Sequence, residues 1–260
     1  MFRSGDFPSL QSMRPISLDE MSGVSLLNRT DTKFVTSASV LQNLLHDAEA
    51  QGYRVSEING QRLQPYESVY YDTPDLRMFM DHRNGKLVRK KVRVRTYLVS
   101  GRTFLEIKSK NNHRRTKKKR MEIPAEGIKE LANIHAASEF LSRKTPWTLN
   151  DLYPETTTDF DRITLVDSGL TERVTIDMNL RFANFRSGIK ADLGSLVVIE
   201  LKQDATKSSL FREILQRHRV LPFRISKYCV AVTLTDPSAR YGRFKEKIRY
   251  IEKILDRKLI

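Results

Sequence analysis

The stretch from His82 to Arg120 constrains this chain more than any other. It holds 16 Lys or Arg against one carboxylate, Glu106, an excess equal to the +15 formal charge of all 260 residues. The remainder is balanced, so the charge is local. Runs of like charge are usually solvated or disordered, yet these cations alternate with apolar residues at the period of a strand. Arg89, Lys91, Arg93 and Arg95 fall on one face while Val88, Val92, Val94 and Leu98 fall mainly on the other. A disordered tail has no reason to alternate. The expectation is a sheet that buries its apolar face and turns its basic face to a polyanion.

With 39% hydrophobic and 30% charged residues, the chain can bury a sizeable core. One elaborated domain is expected over 25–236, after a loosely ordered lead-in over 1–24 and before a C-terminal helix over 237–260. The single cysteine, Cys229, excludes an intramolecular disulfide and a cysteine-rich metal site. No apolar run approaches the ~20 residues of a membrane span, and the N-terminal MFRSGDFPSLQSMRPIS lacks the apolar segment of a signal peptide. A soluble, cytoplasmic protein is expected. A pI near 9.9 calls for an anionic partner: nucleic acid, anionic lipid or a phosphate-rich ligand.

Local patterns predict the elements. A strand is expected near 26–35, then a helix from Ser37 as N-cap to Ala50, ended by Gly52. ESVYYD (67–72) reads as a strand and 76–83 as a short helix. Strands follow at 86–99, 102–109 and 116–123, the first two joined by a tight turn at Ser100-Gly101. Pro124 is expected to open a helical stretch to Arg143. Further strands are predicted at 159–166, 172–182, 196–204 and 224–234, with helices at 207–219 and 243–257. In ERVTIDMNLRF, Arg173, Thr175, Asp177 and Asn179 alternate with Val174, Ile176, Met178 and Leu180.

Most of these strands pair an aliphatic face with a face of Lys or Arg, often with a carboxylate two residues away. An open sheet with charges toward solvent gives the same pattern. The charged faces carry few Ser, Thr or Gln, however, and they repeat like charge strand after strand. An α+β fold explains both: a closed antiparallel barrel of about eight strands, a basic tunnel inside and helices packed outside.

The ordered set RTDTKF (29–34), SVYYDT (68–73), KVRVRTY (91–97), FLEIKSK (104–110), KKKR (117–120), DFDRIT (159–164), ERVTIDMNL (172–180), VVIELK (197–202) and ISKY (225–228) resembles the VTC domain. That family lies within the triphosphate tunnel metalloenzyme superfamily. The resemblance covers roughly 25–235 and implies a polyphosphate polymerase that transfers the γ-phosphate of ATP onto inorganic polyphosphate with Mn2+ or Mg2+. It implies that Lys33, Arg93, Arg95, Lys108, Arg162, Arg173 and Lys227 line the tunnel as catalytic cations. Lys91, Lys118, Arg120 and Lys202 would add phosphate contacts. Glu200 would hold the metal, assisted by Glu106, and Tyr70 and Tyr71 would lie beside the nucleotide. Phe34 stands where the family commonly has a tyrosine. No SPX-type regulatory domain or membrane segment accompanies these motifs.

Phosphoryl transfer needs alignment and charge compensation more than covalent work. Arg offers a planar fork for phosphate oxygens and Lys a compact charge, while a hard cation prefers oxygen ligands. Glu106, Glu122, Asp177 and Glu200 are expected to keep the empty site foldable. Arg114 and Arg115 read as a turn at the tunnel mouth. Singly, each strand cation could equally be solvated, Glu106 and Glu200 could be salt-bridge partners of Lys108 and Lys202, and Tyr70, Tyr71 and Trp147 could be packing aromatics. A tunnel triphosphatase would use nearly the same residues, and a non-catalytic polyphosphate-binding module remains a third reading. Sequence-specific nucleic-acid binding is not expected, since neither a recognition helix nor an aromatic platform is evident.

Overall fold

A computed structural model describes residues 1–22, 29–113, 115–125 and 131–260. After a short helix α1 (Pro8–Ser12), β1 (Pro15–Ile16) and α2 (Leu18–Ser22), the chain forms β2 (Arg29–Ser37), α3 (Ala38–Ala50), β3 (Arg54–Ser56) and β4 (Gln64–Asp72). Helix α4 (Arg77–Arg83) leads to β5 (Arg89–Tyr97), β6 (Arg102–Lys110) and β7 (Thr116–Ile123), then α5 (His135–Lys144). Strands β8 (Tyr153–Val166), β9 (Glu172–Asn184), β10 (Lys190–Asp192) and β11 (Leu196–Asp204) follow, and α6 (Leu210–Arg217), α7 (Lys227–Thr235) and α8 (Lys245–Leu255) close the chain. Arg114 and residues 126–130 lie outside the described residues, so the mouth role of Arg114 is not described, and of the helical stretch expected from Pro124 to Arg143 the described part holds a 3-10 turn (Leu131–Asn133) and α5.

Local chemistry accounts for the elements that position the site. Ser37 caps α3, its hydroxyl accepting the Val40 N–H at 3.5 Å, and Gly52 follows the helix at φ 75°, a left-handed position that favours glycine. Gly101, at φ 67°, serves the turn between β5 and β6, which pair antiparallel from Arg89 opposite Lys110 to Tyr97 opposite Arg102.

The strands join in the order β2-β11-β9-β8-β4-β5-β6-β7, and every pairing along this path is antiparallel. Laid flat, six strand spacings would place β6 about 29 Å from β2, beyond the reach of screened charges. Instead Lys108 on β6 is repelled by Lys33 on β2 and attracted by Glu200 on β11. The sheet is therefore rolled, with its charged face inward. The roll is open, in contrast to the closed barrel expected from the sequence: among the described residues no pairing joins β2 to β7. Two features account for the seam. The Phe223 N–H donates to Lys33 O at 2.7 Å and Phe34 bridges Pro222, so the 222–223 segment occupies β2's outer edge. At the other edge β7 presents Lys117, Lys118, Lys119 and Arg120 in succession, and lysines on an edge strand oppose further pairing.

The outer face is apolar. Val174, Ile176, Val197, Ile199 and Leu201 pack under Leu41, Leu44 and Leu45 of α3 and Phe211, Ile214 and Leu215 of α6. Leu105, Ile107 and Ile123 pack under Ala137 and Leu141 of α5. Phe7, Leu10 and Met13 join the first of these clusters, so the lead-in is packed rather than loosely ordered. No helix among the described residues is long and apolar enough to cross a membrane.

Two local readings are corrected by this structure. Most of the strand expected over 224–234 is instead helix α7 (Lys227–Thr235), which is buried nearly all round from Tyr228 to Val232. Its apolar, β-branched sequence reads as a strand in isolation. Ser226 caps it by accepting the Cys229 N–H, and an all-round apolar helix is stable only when enclosed. In β9 the alternation breaks at Asn179, which adopts φ 53° where the pairing with β8 shifts register. Leu180 therefore joins the cluster beneath α7 and α8 rather than the outer one of Met178. Asn179 secures the bulge by donating to Phe2 O at 2.8 Å and Asp161 Oδ2 at 2.7 Å and accepting the Phe2 N–H at 2.9 Å.

Replacing Asn179 with Ala removes these bonds and, with them, the short polar side chain that makes the left-handed region tolerable for a residue bearing a β-carbon, so unfolding in urea should show a loss of about 2–4 kcal/mol. Asn179→Gly should recover about 1 kcal/mol of it. Equal losses in the two variants would show that the backbone conformation contributes nothing.

Candidate functional site

Three carboxylates, each from a different strand, organise the inner face. Glu106 on β6 has no solvent exposure and is bound by cations from both neighbouring strands. Arg93 donates from Nε at 2.8 Å and from Nη2 at 2.5 Å to Oε2, and Lys118 donates to Oε1 at 2.8 Å. Asp177 on β9 receives Arg162 Nε at 2.6 Å and Nη2 at 2.8 Å, and Lys227 of α7 donates to its Oδ2. Glu200 on β11 meets Lys33 Nζ at 2.8 Å and Lys202 Nζ at 3.3 Å, and its side chain keeps 19% exposure. Burial alone would raise all three carboxyls. The guanidinium of Arg93 and the ammonium of Lys118 hold Glu106 well below the usual range, Arg162 and Lys227 do so for Asp177, and Lys202 and Lys33 for Glu200.

Cations outnumber these clamps. The Lys108 ammonium makes no hydrogen bond or ion pair among the described residues. Burial, then Arg93, Lys33 and Arg95, push its ammonium well below the ordinary value against the attraction of Glu200. Arg95 is buried, donates from Nε to Ser68 Oγ at 3.0 Å, and lies 5.4 Å from the Tyr66 ring and 5.3 Å from that of Phe160. Among the described residues no carboxylate pairs with it, and burial together with Arg93 and Arg162 lowers its pKa to about 10. Aromatic faces take the place of a counter-ion there.

The remaining expected residues separate into two groups. Lys91 sits opposite Lys108 in the ladder and donates to Ser226 Oγ at 2.6 Å; Arg173 sits opposite Lys202. Arg120 stands opposite Glu106 and over the Phe104 ring at 4.6 Å, with its side chain exposed. Tyr70 also faces inward: its hydroxyl accepts Arg93 Nη1 at 2.9 Å and its ring stacks on Tyr228 at 5.0 Å. Although burial opposes it, Arg93, Arg95 and Lys91 lower the Tyr70 phenol. Tyr71 lies apart; alternation places it on the opposite face, where the backbone of Leu131 meets its phenol. Arg115 is exposed, one residue before β7.

Several contributors carry no sequence signal that reasoning from strands could use. Ser68, Tyr66 and Phe160 seat Arg95. Asp72 accepts the N–H groups of Thr73 and Met78 at 2.8 Å and of Phe79 at 2.9 Å, together with the hydroxyl of Tyr228, and so ties α7 to α4. The Asp-Thr-Pro run at 72–74 was a legible turn signal, but not a signal for α7. A cavity of about 450 Å3 lies elsewhere, at the start of β5, lined by Arg77, Arg89, Lys90 and Trp147 with Asp75 and Asp81.

No group of three or more His, Cys, Asp or Glu among the described residues is arranged to hold a metal ion. Both oxygens of Glu106 are engaged by cations. Both oxygens of Glu200 also meet ammonium groups, Lys33 at 2.8 Å and Lys202 at 3.3 Å, but its side chain keeps 19% exposure, so it is the carboxylate that a hard cation with phosphate and water ligands could reach by displacing the longer of these contacts.

The family model described as VTC domain matches residues 28–235. Two solved structures are similar in fold. A candidate adenylate cyclase from Bacillus halodurans is 13% identical at a TM-score of 0.51, the match covering 76% of this chain and 95% of that one. A candidate adenylyl cyclase from Hippeastrum, described as revealing a dominant triphosphatase activity, is 14% identical at a TM-score of 0.51, with 79% and 95% covered. No curated protein sequence matches significantly.

Acid should unfold this protein early. Glu106, Asp177 and Glu200 titrate lower in the fold than in the unfolded chain, so their stabilisation is present above about pH 4.3 and is lost as the pH falls through the folded values. His82 adds a second loss. Burial, with Lys91, Arg89 and Lys247 nearby, lowers its pKa to about 2, so protons favour the unfolded chain from about pH 6.5 downward. Urea midpoints of His82→Asn should rise as the pH falls from about 7 to 5, where burial and Glu67 raise the Asp159 carboxyl to about 6 and its protonation favours the fold, and fall below that. An unchanged slope in that upper window would refute the assignment to His82.

Proposed function

The chain belongs to the VTC domain family of the triphosphate tunnel metalloenzyme superfamily, and on that premise we propose that it is a metal-dependent polyphosphate polymerase. Its substrates would be ATP and an inorganic polyphosphate chain. The observation that carries this reading is the surplus of positive charge on the inner face, above all half-buried Lys108, whose ammonium has no hydrogen-bond partner among the described residues, and buried Arg95, with no carboxylate. Such groups repel one another when no ligand is bound, and an oligophosphate compensates several of them at once.

The chemistry asks the residues to hold and align. A terminal oxygen of the polyphosphate chain attacks the γ-phosphorus of ATP, the bond from that phosphorus to the β,γ-bridging oxygen breaks, and ADP leaves with the bond's electrons. Lys108 and Arg95 are positioned to compensate charge on the transferring group and its neighbours. Arg93 and Arg162 are fixed by Glu106 and Asp177, so they need no reorganisation as charge develops. Tyr70 would act through Arg93, whose guanidinium it holds, rather than through a nucleotide. Glu200 fits a Mg2+ or Mn2+ ion shared with phosphate oxygens, which would neutralise charge on the β- and γ-phosphates; Glu106, fully engaged, acts as a counter-ion. A tunnel triphosphatase is the second reading, favoured by the activity described for the Hippeastrum protein of similar fold; there water replaces the polyphosphate oxygen as nucleophile.

Purified protein with ATP and Mn2+ should yield ADP and acid-labile chains, whereas accumulation of orthophosphate alone would select the triphosphatase. Lys108→Met or Arg95→Ala should lower turnover by roughly 10²–10³; Lys108→Met should leave stability unchanged or increased, whereas Arg95→Ala also gives up the Ser68 bond and the packing on Tyr66 and Phe160. Arg93→Ala and Lys227→Ala should instead also destabilise by about 1–3 kcal/mol, because each takes one of two cations from a buried carboxylate and leaves Glu106 to Lys118 alone and Asp177 to Arg162 alone. Full turnover by Lys108→Met would contradict the role of the inner face.

A further inference from the structure

Strand β7 carries more charge than the interior uses. Residues 116–120 are exposed throughout, and alternation divides the cations between two faces. Lys118 and Arg120 point inward, where Lys118 reaches Glu106 at 2.8 Å while keeping 39% side-chain exposure. Lys117 and Lys119 point outward, and their ammonium groups make no hydrogen bond or ion pair among the described residues. The ladder extends this outer charge sideways: Lys117 lies opposite Ser109, and Ser109 opposite Lys90. At the usual strand spacing the row from Lys117 to Lys90 is about 10 Å long.

Lys90 donates to Ser109 Oγ at 3.3 Å and to Lys144 O at 2.8 Å, which fixes its ammonium at the end of the row. The row opens there into the 450 Å3 cavity beside Arg89 and Trp147. The carboxylates in that cavity are already engaged. Asp81 lies 3.4 Å from Arg77 and 2.7 Å from Lys86, and Asp75 accepts the Thr73 hydroxyl at 2.6 Å.

We infer that Lys117, Lys119 and Lys90 form an external site for the part of a polyphosphate chain that lies outside the rolled sheet, an inference that rests on the polyphosphate reading above. Among the described residues no strand pairs with the outer edge of β7, and this edge joins the two faces. A chain crossing the seam between β7 and β2 passes from Lys118 and Arg120 to Lys117 and Lys119 without leaving cationic surroundings. Polyphosphate carries charge at every unit and no bases, which suits a row of amines. A nucleic-acid single strand is a poorer match, since it needs successive aromatic platforms and this surface offers one, Trp147. Tethering by the outer row would raise the effective concentration of a long chain at the interior and leave a short one unaffected.

The test compares tripolyphosphate with long-chain polyphosphate on the intact protein and on the double variant Lys117→Gln, Lys119→Gln, with Lys90→Gln as a separate variant. Urea midpoints establish that each is folded. Titrations at low and physiological salt should show long chains bound more tightly than tripolyphosphate by the unaltered protein. The double variant should lose that advantage, with affinity for long chains falling by about tenfold and its salt dependence flattening, while tripolyphosphate binding stays unchanged. Unchanged long-chain affinity in the folded double variant would overturn the external site alone. Equal displacement of long chains by a single-stranded oligonucleotide would also overturn it, in favour of an unselective anionic contact. Failure of tripolyphosphate to bind the unaltered protein would overturn the polyphosphate reading and this inference together.

Discussion

The structure depends on how positive charges are kept together on one face of a rolled sheet. Buried cations repel, and each carries a desolvation cost that hydrocarbon would not. Three carboxylates offset the repulsion by bridging cations across the structure. Glu106 joins β5 to β7, Asp177 joins β8 to α7, and Glu200 joins β11 to β2. Replacing such clusters with hydrocarbon is often neutral or stabilising, so stability alone gives no reason to retain them. Their retention makes sense if the remaining charge is left for a ligand.

The apolar shell makes the arrangement possible. Helices α3, α5 and α6 cover the outer face, so the strands are held from outside while their inner side chains remain polar. Helix α7 does the complementary work from within. Its buried flank fills part of the roll alongside Phe160, Leu180 and Phe182, its first residue delivers Lys227 to Asp177, and its capping Ser226 anchors Lys91. One helix thus contributes both hydrocarbon and a cation to the inner face, which links the packing of α7 to the electrostatics of β9.

Much of this was legible in the sequence because strand alternation is local. The hairpin of β5 and β6 follows from the valines and cations of 88–95 and the glycine at 101, and the inward set of Arg93, Arg95, Glu106 and Lys108 follows from the same period. What local patterns could not carry was tertiary. The run from Cys229 to Thr235 is apolar and β-branched, so a buried helix and a buried strand look alike there. Nothing near Asn179 announces the bulge that reverses the side of Leu180. Alternation is equally blind to whether the first and last strands of a sheet meet, which is why the open seam was not foreseen. Nor could it tell clamped cations such as Arg93 and Lys227 from unclamped ones such as Lys108, a difference that reverses the stability expected when each is removed.

The central claim, that the inner face is a preformed receptor for an oligophosphate, is tested most directly by thermal unfolding in tripolyphosphate at fixed ionic strength. Saturation at about 100 times the dissociation constant should add about 2.7 kcal/mol of stability, with a matching rise in Tm that sodium chloride and orthophosphate at the same ionic strength do not reproduce. A Tm that responds to ionic strength alone, whatever the anion, would contradict the account.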